Sequence, residues 1–295
     1  MERIIQYTVP KEESNRSVQD FLRQRGYSKK VLAALKCEPS GIFRNGCSVF
    51  TNEKVKENDK ISIHLLEEES SETILPEYGI LDIVYEDDDI LVINKPAGMP
   101  IHPSVNHHTG TLANFVAGYY KKQGISYVFR CLNRLDRDTS GLVLLAKHML
   151  SGAILSREVK KRALHRTYLA VVCGCILKDG KITSPIGRKP GSIIERMVDE
   201  EHGQEAITNY HVLAHGNGHT LVSIQLETGR THQIRIHMKS IGHPLPGDFL
   251  YHPDYRNIKR QALHSYQLSF CHPITGEWME FQAKLPQDMK AILKE

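Results

Sequence analysis

Apolar positions recur along this chain in two periods, and the switches between them mark its elements. Near the start, Val18, Phe21 and Leu22, then Val31, Leu32 and Leu35, fall three and four residues apart, the spacing of two short amphipathic helices. Ile42-Phe43-Arg44-Asn45-Gly46 follows as strand and turn, and Asp59-Lys60-Ile61-Ser62-Ile63-His64 alternates as a strand does. The stretch Glu67-Glu68-Glu69-Ser70-Ser71-Glu72 breaks the pattern. Its like charges repel, its serines loosen the backbone and Pro76 ends it, so residues 67–79 read as a linker. Residues 1–66 are therefore expected to form one unit and residues 80–295 a second, larger one.

The larger unit opens with two strands around the acidic turn Asp87-Asp88, followed by a helix from about Thr111 to Tyr120. Next come a strand over Leu142–Ala146, a helix from about Leu150 to Leu164, and a strand over Tyr168–Val172. Paired strands near Ala206–Leu213 and Leu221–Leu226 are joined by Gly216-Asn217-Gly218. A helix from about Thr231 to Ile241 and a last pair near Leu263–Phe270 and Trp278–Ala283 complete the pattern. Hairpins with short turns pair antiparallel, so the predicted fold class is α+β, a mixed, mainly antiparallel sheet with helices packed outside it.

Charge adds a partner class to this outline. Between Arg16 and Arg44 lie seven Lys or Arg residues against two acids, Asp20 and Glu38. They form a basic face on the two short helices, suited to RNA and equally to a solvated surface. The whole chain, at 295 residues and a formal charge of +4, permits nucleic-acid binding without demanding it. No apolar run approaches the ~18 residues of a membrane span, and Met1–Tyr7 lacks the apolar region of a signal peptide. Six irregularly spaced cysteines suit reduced thiols. A cytoplasmic protein with no membrane partner is expected.

The chemistry concentrates in the run from Cys131 to Lys147. Asp136 stands between Arg134 and Arg137 in sequence, and a nearby cation favours an ionised carboxylate that can act as nucleophile or base. Asp138-Thr139-Ser140-Gly141 is turn chemistry, so a loop presents the charges and the strand behind it holds the loop. On charge alone, a set of solvated ion pairs accounts for the run as well.

This run resembles the signature of the RluA-type RNA pseudouridine synthases, His-Arg-Leu-Asp followed by Thr-Ser-Gly. Upstream, Leu81 to Pro103 resembles the family's opening hairpin and Lys-Pro-x-Gly turn; downstream, Arg166–Val172 and Thr228–Met238 resemble its tyrosine and late arginine motifs. The likeness covers about residues 80 to 285. It implies the α+β fold and an isomerase that converts specific uridines of structured RNA to pseudouridine by base flipping. Ribosomal RNA is the leading substrate and transfer RNA the other candidate. No cofactor and no metal are implied, and a monomer is expected.

The resemblance also implies roles. Asp136 would be the catalytic carboxylate, acting on the sugar or on the base. Tyr168 would stack on the extruded base and pass a proton. Arg235 would pair with Asp136, Arg230 being the poorer candidate for that task. Arg134 would fill the gap left by the flipped nucleotide, offsetting an unstacking cost of a few kcal/mol. Asn133, Arg137, Lys95, His102 and Arg230 complete the expected substrate contacts. Asn133 departs from the pattern, because the family has His there; the amide keeps a donor and an acceptor but cannot carry charge. Residues 1–66 resemble an S4-type RNA-binding module, with Asn58 where a Gly is usual.

Other classes stay open at this level. A catalytically silent RNA-binding or ribosome-assembly protein could share the fold, and a glycosylase or nuclease could also flip bases with carboxylates. Among sixteen histidines, His232 and His237 stand five apart, off the i, i+4 spacing of a helical metal site, and Cys173-Gly174-Cys175 lacks a second cysteine pair. Phosphate-loop and dinucleotide glycine motifs are absent, and Ser140 is in no Gly-x-Ser-x-Gly elbow.

Overall fold

The computed structural model of this chain describes residues 1–37, 41–71, 73–104 and 108–294, so Glu38 and Glu72, counted above, lie outside the described residues. In the first unit, β1 (Glu2–Thr8) is followed by helices α1 (Val18–Gln24) and α2 (Lys29–Cys37) and by β2 (Ile42–Arg44), β3 (Cys47–Ser48) and β4 (Lys60–Leu66). The strands form an antiparallel sheet in the order β1-β4-β2-β3. Val18, Phe21 and Leu22 of α1 and Val31, Leu32 and Leu35 of α2 are all buried against Ile5, Ile61 and Ile63 of the sheet. The apolar stripes thus do what their spacing predicts. The first strand was not legible in the pattern, because within Glu2–Thr8 only Ile5 is fully buried.

The second unit contains β5 (Ile83–Glu86), β6 (Ile90–Lys95), α3 (Leu112–Lys122), β7 (Ser140–Ala146), α4 (Met149–Lys160) and β8 (His165–Cys173). Three short strands, β9 (Gly180–Ile182), β10 (Ile186–Arg188) and β11 (Arg196–Val198), precede the hairpin β12 (Thr208–Gly216) and β13 (His219–Leu226). Then come α5 (Gln233–Ser240), β14 (Leu263–Cys271), β15 (Trp278–Gln282) and α6 (Gln287–Ile292). The described strands give a nine-stranded sheet in the order β5-β6-β7-β14-β8-β13-β12-β9, with β15 on β14. Only β7 and β14 run parallel in it; the other pairs are antiparallel. The α+β reading holds. The three-residue strands and α6 were too short to show a period.

Two features carry the site. Gly141, second in β7, takes φ +109°, and a Cβ there would collide with the Ser265 carbonyl oxygen. Glycine is needed because β14 approaches in parallel register, Ser265 opposite Gly141 and His264 opposite Ser140. The buried Ser140 hydroxyl and His264 Nδ1, 2.9 Å apart, lock the same junction. Helix α4 also ends at Lys160, earlier than its apolar spacing suggests, because Arg162 adopts a left-handed φ of 61°.

The two units are packed together. Leu150 and Ile154 of α4 belong to the same apolar cluster as the helices of the first unit. Arg3 of β1 reaches Asp89 with Nε at 2.9 Å and Nη2 at 3.1 Å, and His148 Nε2 lies 2.8 Å from the same carboxylate. The stretch read as a flexible linker is a correction. Glu67 is buried, its carboxylate accepting from Arg130 Nη2 at 2.8 Å and from the Met149 amide at 2.6 Å. The Ser70 and Ser71 hydroxyls accept from the amides of Tyr127 and Phe129 at 3.2 and 3.0 Å. Local charge repulsion predicted looseness; partners far along the chain instead fix Glu67, Ser70 and Ser71. Among the described residues, no helix is long and apolar enough to cross a membrane.

Candidate active site

The loop ahead of β7 is fastened from below before it presents anything. Asn133 is buried, its side-chain amide donating to Leu142 O at 3.0 Å while its oxygen accepts from the Leu144 amide at 2.8 Å. It pairs with β7 as a peptide group would. Lys95 is fully buried, and its ammonium donates to Pro96 O and Met99 O at 2.8 Å and to Arg137 O at 3.0 Å. Burial pulls it down to about 7, against the attraction of Asp138 and Asp136. Lys95 therefore ties the opening turn to the backbone beside Asp136.

Three residues expected at the substrate are engaged within the protein. Lys95 and Asn133 spend their hydrogen-bonding groups on the protein backbone rather than on a substrate. Arg137 turns outward, gripping Asp138 with Nε and Nη2 at 3.0 Å, its guanidinium 5.9 Å from the ring centre of Phe249. Sequence adjacency misled here, because neighbours in a turn point in different directions. The cation on Asp136 comes from ninety-nine residues away: Arg235 Nη1 donates to Asp136 Oδ2 at 2.9 Å.

Arg235 sits on α5, with a side chain 1% exposed. Its Nε and Nη2 hold the buried Asp248 carboxylate at 2.6 and 2.7 Å, a bidentate pair that fixes the plane of the guanidinium and leaves Nη1 for Asp136. Against the cost of burial, Asp248 and Asp136 keep the guanidinium charged, its pKa raised. Asp136 itself stays 30% exposed, so one carboxylate is anchored by a buried cation yet open to a ligand. His232, at the start of α5, takes a left-handed φ of 59°; its Nε2 lies 3.9 Å from Asp136 Oδ2 and its Nδ1 2.9 Å from the Tyr251 hydroxyl. Burial lowers its pKa, favouring the neutral ring.

Arg134, Asp136, Tyr168, Arg230 and His232 line one cavity. It opens into a second of about 620 Å³, where His102 and Arg166 join them. That volume is within the ~300–1,000 Å³ of small-ligand sites, enough for an extruded nucleotide. Tyr168, on β8, is 5% exposed. Burial raises its hydroxyl above the usual 10, with Arg166 beside it pulling the other way. The phenol is neutral near pH 7, which suits stacking and donation better than base catalysis. Burial first and the Arg134 charge second lower the His102 pKa. Arg230 gives its Nε to Glu205 O at 2.9 Å, so it is partly committed to backbone.

Sequence reasoning missed His232, Arg166 and Asp248 as parts of the site. His232 and Arg166 stood inside the quoted motifs and could have been singled out there. Asp248 had no local signal; only the need of a buried guanidinium for an acid points to it. As for metals, both ring nitrogens of His237 are spent at 2.8 Å, on Thr208 Oγ1 and Ser184 O. Asp87, Asp89 and His272 bring ligand-type atoms within 4.8 Å of one another, but Arg3, His148 and Tyr85 already bond to those carboxylates. That cluster ties the two units together.

Comparison with known proteins gives a consistent result. Residues 89–240 match the sequence model of the RNA pseudouridylate synthase family. An uncharacterized RNA pseudouridine synthase of Bacillus subtilis, YjbO, is 44% identical over 279 residues, covering 94% of this chain and 98% of that protein. The ribosomal large subunit pseudouridine synthase D of Neisseria meningitidis serogroup B is 39% identical over 255 residues, 82% of this chain and 68% of that one. Among solved structures, human RNA pseudouridylate synthase domain containing 1 superposes with a TM-score of 0.59 at 27% identity, over 70% of this chain and 86% of that chain.

Proposed function

This chain belongs to the RluA-type RNA pseudouridine synthases, and from that premise we propose that it isomerises specific uridines of large-subunit ribosomal RNA with Asp136 as the essential carboxylate. One observation carries the assignment of the site: a partly exposed carboxylate held at 2.9 Å by a buried arginine, in a cavity whose wall is a buried tyrosine. The reaction breaks the C1′–N1 bond, turns the base, forms C1′–C5, and moves one proton from C5 to solvent while N1 gains one. No electrons are exchanged. Asp136 supplies the negative charge or the attacking oxygen at the sugar or base, and Arg235 holds it in place with a charge-assisted hydrogen bond. Tyr168 offers a flat apolar face to the extruded base and a neutral hydroxyl that can join a proton relay. Arg134, exposed at the rim, is placed to occupy the vacated stack.

Residues 1–66 act, in this reading, as an S4-like RNA-binding module and residues 80–295 as the catalytic unit. The same reading makes the protein a cytoplasmic monomer, in keeping with six free cysteines. The test is incubation with an unmodified transcript of large-subunit ribosomal RNA labelled with tritium at uridine C5. Tritium release with RNA length and base count unchanged, and pseudouridine at discrete positions, is expected. Free uracil or chain cleavage would point to a glycosylase or nuclease; binding without release would point to a silent RNA-binding protein.

A further inference from the structure

Behind the active-site wall lies a second groove of about 740 Å³, as large as the cavity beside it. Its floor is the opposite face of the sheet from Tyr168, since Thr167 and Tyr168 are consecutive on β8 and alternate in direction. Across that floor runs a row of neutral polar side chains in direct register: Gln267 opposite Thr167, Thr167 opposite Gln225, and Gln225 opposite Asn209. Farther along the same face, Val171 is covered by Met289 and Ile292 of α6. The row at Thr167 carries no such apolar roof and stays partly exposed.

The groove's charge is one-sided. Lys160 and Arg162, at the end of α4, line it and are exposed; among the described residues neither forms a side-chain ion pair. Glu227, a carboxylate in the wall, is occupied by Lys181 at 2.8 Å and Asn209 at 3.0 Å. At its other end the groove shares Gly229 and Arg230 with the active-site cavity, so the two spaces meet at one wall.

Arg162 adds an independent sign. It holds φ 61° just past the helix end, the position where glycine is the usual residue because a Cβ is unfavourable there. Its amide closes the turn on Val159 O at 3.1 Å and the Ala163 amide closes it on Glu158 O at 2.9 Å. Glycine would make the same turn with less strain. An arginine at that place costs backbone energy, and among the described residues it forms no close ion pair in return, acting on Glu227 only through longer-range attraction.

We propose that this groove carries the RNA strand running on from the flipped uridine, with Lys160 and Arg162 neutralising its phosphates and the Gln267–Thr167–Gln225–Asn209 row meeting sugar and base edges. The proposal rests on the synthase reading for what enters the neighbouring cavity. It accounts for neutral hydrogen-bonding groups on the floor and free cations at the rim, the distribution a polyanion with polar edges requires.

The test uses the full chain and the unmodified large-subunit ribosomal RNA transcript, comparing wild type, Arg162→Gly and the double variant Lys160→Gln/Arg162→Gly. Arg162→Gly is expected to hold or raise Tm, showing that the turn survives. The double variant is expected to bind the transcript roughly tenfold more weakly, with KM raised to match and kcat at saturation retained, and the slope of log affinity against log salt should fall by about 1.5–2, near one unit per lost phosphate contact. Unchanged affinity and slope in the double variant would overturn the groove, whatever the turnover. Weakened binding by the variant, together with no tritium release by the wild type, would uphold the groove as an RNA surface and overturn the synthase reading.

Discussion

Asp248 fixes the guanidinium of Arg235 and Arg235 in turn holds Asp136, so a buried cation anchors a carboxylate that solvent still reaches. The carboxylate and the late arginine were visible in their motifs, and the structure brings them to 2.9 Å. The partner expected from adjacency, Arg137, instead holds Asp138. Lys95 is the sharper lesson, because a lysine in a turn invites a phosphate while the structure buries it completely among three carbonyls. Its titration is testable. The folded pKa of about 7 lies below the ordinary lysine value of 10.5, so between these limits the unfolded chain binds the extra proton. Stability from this group therefore rises as pH climbs from about 7 towards 10.5 and is flat beyond. Urea unfolding of wild type and Lys95→Met across that window should show the wild type gaining relative to the variant. A constant difference would mean that Lys95 stays charged in the fold.

At the level of elements, apolar period served well where helices and strands were long and less well where pairing decided. The stripes of α1, α2 and α3 and the apolar run of β7 were readable because one face or both are buried over several turns or residues. The parallel contact of β7 with β14 was not, since it joins residues more than a hundred apart. Gly141 is the price of that contact. Gly141→Ala adds a Cβ at positive φ against the Ser265 carbonyl, and should cost at least ~2 kcal/mol of folding free energy. Chemical unfolding measures it; a loss within a few tenths would show that β14 can yield. Because the junction also anchors the Asp136 loop, turnover should fall along with stability.

For the whole molecule, the outline of a small basic unit beside a larger α+β unit was legible, but their dependence on each other was not. Deleting residues 1–66 uncovers Leu150 and Ile154 and strips Arg3 from Asp89. With ~1.5–3 kcal/mol per buried aliphatic side chain, the remainder should lose about 3 kcal/mol or more and melt earlier. It should keep its turnover per folded molecule while its salt slope for RNA becomes shallower. A truncated protein as stable as the parent would show that the interface is dispensable.

The account of the intact protein turns on Asp136 and is tested most directly by Asp136→Asn. Replacing Arg235 is a poorer test, since it leaves Asp248 buried without its partner and costs about 3–5 kcal/mol of stability. The Asn side chain keeps the size and hydrogen bonding of Asp136 while removing its charge, and Arg235 stays fixed by Asp248. Tritium release from C5-labelled uridine should drop to background, with filter binding of the same RNA retained or tightened. Residual isomerisation within about tenfold of the parent, a barrier change of only ~1.4 kcal/mol, would contradict the assignment.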